Sequence, residues 1–287
     1  DIIPGSSINL VYQTTHKEYE QIHEGCDALI KRSGEQLFKK DDNSFVLVNT
    51  LSYIWKGAIC LPESFHGYSL LDQNGEVIQL QNDGNGILAA VELDPLSFTT
   101  FKKGNKADLE DNKSEDLILE NDLIKYEFDQ TGQLISMYDK VLDKEFLSNS
   151  GNVLSLYEDR PNNWDAWDVD FFYREALIET AKAIKVEASV NGEVTKQIKL
   201  SFSIGGSSIE QLVSLYPHSK RLDFATHVEW NEKHKMLRVH FPVSIRSEQA
   251  TFDIQYGYVK RNTHRNTSWD KAKFEVVGHK YADLSDH

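Results

Sequence analysis

The sequence predicts a mainly β protein that begins with a single α-helix. From Ile8 to Ile30 apolar residues recur every three or four positions, which is the period of one helical face. From Phe45 onwards the period changes to two, as in strands with one buried face. Turn-forming pairs such as Asn74-Gly75 separate these runs. Repeated strands of this kind favour a large antiparallel β-sandwich that is preceded by a smaller β-domain.

The predicted helix lies within residues 1–40. Ser6 or Ser7 can accept a hydrogen bond from a first-turn N–H group and so begin it. The helix would be roughly 35 Å long at 1.5 Å per residue. Because no second helical pattern follows, we expect it to be the remnant of a helical bundle whose other members lie outside this sequence.

The remaining chain divides at a polar segment, residues 102–116. Its only apolar side chains are Ala107 and Leu109, so we expect a linker rather than a buried strand. Before it, residues 41–101 carry short strand patterns that predict a small β-sandwich domain. After it, residues 117–287 carry longer alternating runs that predict the large β-sandwich. The last segment stops without a turn and the first residue is Asp1, so we expect both ends to be cuts within a longer polypeptide.

Composition excludes several classes of function. The 31 basic and 45 acidic side chains give a net charge of −14, and no window clusters Lys and Arg alone, so nucleic-acid binding driven by charge is not expected. No apolar run approaches the roughly 20 residues that cross a bilayer, so no membrane partner is expected. Cys26 and Cys60 are too few for a disulfide scaffold or a zinc knuckle. We expect two buried free thiols.

Residues 157–170 carry the densest chemistry, with two Trp, five carboxylates and one Arg in fourteen positions. Indole faces pack on the C–H side of a pyranose and carboxylates accept hydrogen bonds from hydroxyls, so sugar contact is one interpretation. An alternative of equal weight places Trp164 and Trp167 in the sandwich core, with the carboxylates in a solvated loop or at a hard-cation site. The carboxylates could also include a glycosidase acid and nucleophile, which only their separation in space decides. The candidate contact residues in this segment are Tyr157, Asp159, Trp164, Asp165, Trp167 and Asp168.

A second polar and aromatic cluster occupies residues 261–281. It is either a ligand surface carried on a loop or a hydrogen-bonded corner anchored by Trp269. Elsewhere the ten histidines form no metal-binding spacing, and His16 and His23 lie too far apart on the helix for one ion. The sequence also lacks the Gly-x-Ser-x-Gly elbow of a serine hydrolase and the glycine-rich loop of nucleotide chemistry.

Three stretches resemble, in order along the chain, motifs of the α-mannosidases of glycoside hydrolase family 38. They are DIIPGSSI at residues 1–8, WDAWDV at residues 164–169, and the residues 263–270, 274–275 and 279–285. The second stretch resembles a signature of the cytosolic and bacterial branch, so a cytoplasmic location is expected. For the large domain the resemblance implies a supersandwich similar to galactose mutarotase.

The resemblance also implies a retaining, zinc-dependent hydrolysis of terminal α-mannose residues by the parent protein, with zinc polarising sugar hydroxyls. Family members bind one zinc through two His and two Asp, and one of those Asp residues is the nucleophile. These groups and the acid/base carboxylate lie in an N-terminal α/β domain, and the last His ligand would immediately precede Asp1. We therefore expect no catalytic residue and no metal ligand in this chain, which alone should be inactive.

Asp1 matches the family's Asp that contacts sugar hydroxyls. The C-terminal β-domains of the family fold back on the catalytic domain, and a loop from them can reach the sugar. Residues 157–170 are our candidate for that loop, so this chain would supply scaffold and part of the substrate wall.

The expected partners are a mannose-containing oligosaccharide and the N-terminal catalytic domain of the same polypeptide, with a second copy of the chain as a further candidate. The alternative function is a carbohydrate-binding β-sandwich module without a hydrolytic role. A purely structural role, with the second β-domain as an assembly surface, is a third interpretation.

Overall fold

The computed structural model describes residues 8–109, 116–164 and 168–286. The chain separates into two compact units, Asp1–Asn112 and Lys113–His287. Both consist mainly of antiparallel strands, which confirms the predicted fold class. No helix among the described residues combines the length and apolar composition that crossing a lipid bilayer requires.

The first unit begins with the predicted helix. Helix α1 is Asn9–Leu37 and ends seven residues beyond Ile30, where the apolar pattern stops. Its N-cap is Ile8, which makes no side-chain capping bond, while Ser6 and Ser7 lie outside the described residues. None of the residues of α1 is buried, so its apolar stripe contributes nothing to a core among the described residues.

Seven strands follow α1 in the first unit. They are β1 Ser44–Asn49, β2 Trp55–Cys60, β3 Tyr68–Leu71, β4 Val77–Ile78, β5 Leu80–Asn82, β6 Ile87–Leu93 and β7 Ser97–Lys106. They form the sheets β1-β7-β3-β4 and β2-β6-β5. Leu70 and Phe101 of the first sheet share one buried core with Ala89 and Val91 of the second, so the unit is a small β-sandwich. Gly75 turns the chain between β3 and β4 with φ of +84°, as the Asn-Gly pair predicts.

Two expectations for this unit need correction. Strand β7 continues to Lys106 and pairs Tyr68 of β3 with that residue, so residues 102–106 are strand rather than linker. The segment is polar because alternate side chains of a strand can face solvent while its backbone stays paired. Cys60 at the end of β2 and Cys26 on α1 are both exposed, not buried.

The second unit contains fourteen strands among its described residues. They are β8 Ile118–Glu120, β9 Ile124–Phe128, β10 Leu134–Asp139, β11 Lys144–Glu145, β12 Val153–Glu158, β13 Leu177–Thr180, β14 Ala183–Asn191, β15 Lys196–Ile204, β16 Ser207–Leu215, β17 Leu222–Glu229, β18 Lys235–His240, β19 Gln249–Ile254, β20 Gly257–Asn262 and β21 Ala282–Asp283. A 3-10 helix spans Phe171–Glu175, and a short helix, α2, spans Ser268–Ala272.

These strands form four sheets, β11-β10-β9-β8, β14-β15-β16-β17, β13-β12-β18 and β20-β19-β21. One core joins the first three sheets, with Tyr126 of β9, Leu156 of β12 and Phe202 of β15 among its buried members. The four apolar side chains of the 198–204 pattern are all buried on β15, which confirms the alternation. Strand β12 therefore lies in this core, and residues 159–170 follow directly after it.

Candidate carbohydrate-contact surface

The described residues 159–164 and 168–170, here called the Trp164 loop, lie between β12 and the 3-10 helix. Its base is closed by Asp170, whose carboxylate accepts a hydrogen bond from the Asn162 N–H at 2.6 Å. The Asp159 N–H donates to the His234 carbonyl at 2.8 Å, which ties the other end of the loop to the start of β18. One end of the loop is thus tied to the backbone beside β18, and the loop is braced internally by the Asn162–Asp170 bond.

Trp164 occupies an unusual place at the far end of this loop. Its φ is +62°, in the left-handed region that bulky residues rarely adopt, and 72% of its surface is exposed. The Asp168 N–H donates a hydrogen bond to the Trp164 carbonyl at 3.0 Å. Trp164 is therefore not the core residue that one interpretation of the sequence proposed.

The other candidate residues of this segment have different environments. Tyr157 is half-buried, and its ring packs edge-to-face on Tyr173 with centroids 5.4 Å apart. Its hydroxyl lies 3.5 Å from Nε2 of His240, so part of its polar capacity is directed into the protein. Asp168 is exposed and accepts from the Val169 N–H at 2.9 Å. Asp1, Asp165 and Trp167 lie outside the described residues, so their roles stay predictions.

Two clefts run along the Trp164 loop and share Arg160 and Pro161. One of about 100 Å³ reaches Asp159 and Tyr173, and the other of about 280 Å³ reaches Trp164 and His234. Enclosed pockets for drug-sized ligands usually have about 300–1,000 Å³. Both clefts are smaller than this, and the larger one places Trp164 beside Arg160 and His234.

A second feature involves the 3-10 helix that follows the loop, where Glu275 accepts bonds from three side-chain donors. Its Oε1 accepts from the Tyr173 hydroxyl at 2.5 Å and from Nη2 of Arg174 at 3.0 Å. Its Oε2 lies 3.0 Å from Nη1 of Arg238 on β18. We call these four residues the Glu275 cluster. Sequence reasoning missed it because its members are far apart in the chain and form no local pattern.

The electrostatics of the Glu275 cluster favour the ionised form of the carboxylate. Burial acts to raise the pKa of Glu275, but the hydrogen bonds from Tyr173, Arg174 and Arg238 outweigh it and lower the pKa below its ordinary value. Burial raises the pKa of the Tyr173 hydroxyl, as does its bond to Glu275. The pKa of the neighbouring His240 is lowered by burial and by the Arg238 charge, against the opposing effect of Glu275.

The second sequence cluster, residues 261–281, is anchored differently from what we expected. Trp269 on α2 is 79% exposed and anchors nothing. Asp270 holds the corner instead, because it accepts from Thr267 Oγ1 at 2.6 Å and from Asn262 Nδ2 at 3.1 Å. Thr267 also caps the helix by accepting from the Asp270 N–H. The indole is thus presented to solvent by a fixed support.

No set of three or more His, Cys, Asp or Glu side chains among the described residues converges as metal ligands would.

Residues 119–287 match the model of the glycosyl hydrolases family 38 C-terminal domain, which covers more than half of the chain. The chain belongs to glycosyl hydrolase family 38. Relatives match along its whole length: alpha-mannosidase G of Dictyostelium discoideum is 30% identical over 341 aligned residues, and alpha-mannosidase 2C1 of Homo sapiens is 29% identical over 296. The chain spans only 30% and 27% of these two family 38 relatives.

A solved structure has a similar fold. The crystal structure of an alpha-mannosidase from Enterococcus faecalis V583 superposes with a TM-score of 0.68 and covers 92% of this chain and 39% of its own. Only 16% of the aligned residues are identical, so the likeness supports the family 38 fold and transfers no residue role.

Proposed function

We propose that this chain is the C-terminal part of an α-mannosidase that removes terminal α-mannose residues from oligosaccharides. It supplies the β-scaffold and one wall of the substrate site. The full-length match to relatives that are named alpha-mannosidases supports the reaction. The retaining chemistry, the catalytic carboxylates and a bound zinc ion belong, in this proposal, to the part of the polypeptide outside these residues. The proposal also includes a cytoplasmic location.

The wall itself is the finer part of the proposal, and Trp164 carries it. A large apolar side chain that is exposed and held in a strained backbone conformation costs free energy in the folded protein. Tyr256 shares the exposure and the positive φ, so the assignment of Trp164 rests in addition on the cleft of about 280 Å³ that it lines with Arg160 and His234. A pyranose has one apolar C–H face, which an exposed indole can cover, and carboxylates such as that of the exposed Asp168 can accept hydrogen bonds from sugar hydroxyls.

Two of the described carboxylates are already engaged within the protein. Asp170 is engaged by the Asn162 N–H, and Glu275 is held ionised by two guanidinium groups. A general acid must keep a proton near neutral pH, which a carboxylate with a lowered pKa does not do. These observations favour a structural rather than a hydrolytic role for Asp170 and Glu275.

Turnover of an aryl α-mannoside tests the division of labour. We expect the full-length protein to hydrolyse it and the 287-residue chain alone to be inactive. Turnover by the isolated chain, with purified material free of other glycosidases, would overturn the proposal. Calorimetry of the isolated chain with mannose oligomers separates the alternative, since a self-sufficient binding module would reach micromolar affinity, about −8 kcal/mol.

The Trp164 wall is tested in the full-length protein with Trp164→Ala. We expect KM to rise about tenfold with little change in kcat, because a contact made equally in the ground and transition states affects binding alone. Tyr256→Ala is the matched control, since Tyr256 is a fully exposed aromatic residue whose φ of +63° is also positive, on the turn between β19 and β20. An unchanged KM in Trp164→Ala would remove the wall from the proposal.

A further inference from the structure

The two clusters that stand out in the sequence meet at one carboxylate. The Trp164 loop leads directly into the 3-10 helix Phe171–Glu175, which carries Tyr173 and Arg174. Helix α2, which carries Trp269, is followed three residues later by Glu275. The bond between Arg174 and Glu275 therefore joins segments that are 101 residues apart in the chain.

Several further contacts reinforce this junction. Phe171 and Phe274 pack edge-to-face with ring centroids 5.4 Å apart, and Nη2 of Arg174 also donates to the Phe274 carbonyl at 2.5 Å. The Arg174 guanidinium lies 5.6 Å from the centroid of each of these rings, so the cation rests on both. Arg174 thus joins the two segments by its ion pair with Glu275 and its hydrogen bond to the Phe274 carbonyl. The packing of Phe171 on Phe274 adds a direct contact between them.

The arrangement of donors shows what Glu275 can and cannot do. All three recorded bonds use it as an acceptor, and two of its partners are guanidinium groups, which do not give up a proton in proteins. A group so engaged is a poor nucleophile and a poor acid. It is well suited to hold two chain segments at a fixed distance, since charge-assisted hydrogen bonds of this kind are both strong and directional.

We propose that Glu275 is a positioning residue that fixes the Trp164 loop and helix α2 as two parts of one sugar-contacting surface. Trp269 then becomes a second contact residue for a pyranose. This inference rests on the proposed substrate wall and extends it. It assigns a sugar ligand to the Trp269 indole, and it explains the placement of Trp164 and Trp269 by the contacts of Glu275. Glu275 acts through its partners and does not itself touch the sugar.

The experiment compares Glu275→Gln, Glu275→Asp and Trp269→Ala in the full-length protein with a mannose oligosaccharide. We expect Glu275→Gln to raise KM about tenfold with kcat within about twofold, because loosened segments weaken substrate binding rather than the chemical step. Glu275→Asp keeps the charge and should recover part of the loss. Trp269→Ala should raise KM without any change in unfolding temperature, since the side chain is exposed.

Hydrogen exchange measured by mass spectrometry gives a readout of positioning. In Glu275→Gln we expect faster exchange in peptides that cover residues 159–175 and 268–275, and unchanged exchange elsewhere. Glu145→Gln is the matched control, because Glu145 also accepts three hydrogen bonds, from Ser136 and from the N–H groups of Met137 and Leu147, in a different sheet. It should leave KM and the exchange of both segments unchanged.

The outcomes separate this inference from the proposed wall. If Trp164→Ala raises KM while Glu275→Gln changes neither KM nor exchange, the positioning role is wrong and the wall stands. If exchange accelerates in both segments but KM is unchanged in Glu275→Gln and Trp269→Ala, the junction is structural only and the inference falls. Should Glu275→Gln fail to fold, Tyr173→Phe removes one of the three bonds and is judged by the same two measurements.

Discussion

Asn152 and Gln211 form a buried side-chain pair at the edge of the core of the second unit. Nδ2 of Asn152 donates to Oε1 of Gln211 at 2.9 Å and to the carbonyl of Gly132 at 3.0 Å. Both side chains are almost fully buried, and Asn152 has a φ of +53°. Asn152 therefore supplies two buried hydrogen bonds and also adopts a left-handed backbone conformation at the start of β12, the strand that leads to the Trp164 loop.

Replacing Asn152 separates the hydrogen bonds from the backbone conformation. Asn152→Ala leaves Gln211 and the Gly132 carbonyl without this donor, which costs about 1–3 kcal/mol. It also places a Cβ-bearing residue without a polar side chain in the left-handed region, for about 1 kcal/mol more. Asn152→Gly loses the same bonds but relieves the left-handed strain, and its greater freedom in the unfolded chain offsets part of that gain. Its free energy of unfolding should therefore exceed that of Asn152→Ala by about 0.5 kcal/mol. Urea denaturation of the isolated chain measures both, and equal stabilities would contradict the backbone part of the explanation.

The acid limb of stability should depend on Asp139. Its carboxylate is buried, accepts from Nζ of Lys220 at 2.5 Å and from two backbone N–H groups, and the Lys220 bond is the largest cause of a lowered pKa. A lowered folded-state pKa contributes stability above the unfolded pKa of about 3.9 and loses it as the pH falls through the folded value. Asp139→Asn should therefore be less stable than the unmodified chain at pH 7, with the difference shrinking below about pH 4.

Thermal unfolding at a series of pH values between 2.5 and 7 measures this convergence. The exposed Asp122→Asn is a control for the loss of one negative charge. A stability difference for Asp139→Asn that stays constant across the acid range would rule out the ion pair as its source.

Local sequence patterns predicted the strands well because alternate residues of a half-buried strand face the core and are apolar, while the residues between them face solvent. The 198–204 pattern is the clearest instance, and the Gly75 turn is another. Burial that depends on neighbours was not predictable in this way. Cys60 ends a strand and Cys26 lies on a helix with no buried residue, so the usual preference of cysteine for the interior does not hold for either.

The candidate surface was predictable only in part, for the same reason. The unusual composition of residues 157–170 identifies a segment but not which of its side chains face outwards. Trp164 became distinguishable through its exposure and its positive φ, neither of which the composition encodes. The Glu275 cluster depends on contacts between residues about 100 positions apart, so no short motif could reveal it.

The core of the second unit should be sensitive to cavities at Leu200. This side chain is completely buried on β15, where the strand is paired on both sides. Leu200→Ala should cost about 2–5 kcal/mol, the range found for buried Leu truncations. Ile184→Ala on the neighbouring β14 is the comparison, since Ile184 is exposed and its truncation should cost less than about 0.5 kcal/mol. Equal losses in denaturant midpoints would show that β15 does not lie at the centre of the core.

Trp164→Gly should make the protein more stable and less able to bind its substrate. Glycine relieves the left-handed strain of a bulky residue, which stabilises the folded protein by about 1–2 kcal/mol. Its greater freedom in the unfolded chain lowers the stability by about 0.5–1 kcal/mol. Because the indole is exposed, little packing is lost, and the net gain in unfolding free energy should be about 0.5–1 kcal/mol. Trp164→Ala retains a Cβ and should show no such gain.

Tyr256→Gly distinguishes relief of strain from loss of contact. Its φ of +63° is nearly that of Trp164, so it should also gain stability, but it should leave KM for a mannoside unchanged in the full-length protein. A Trp164→Gly variant that is more stable yet binds substrate as before would mean that the strain serves no contact with sugar. A variant with lower stability and weaker binding would mean that the indole supports the loop itself. Only the combination of higher stability and higher KM fits a residue whose conformation is maintained for a ligand.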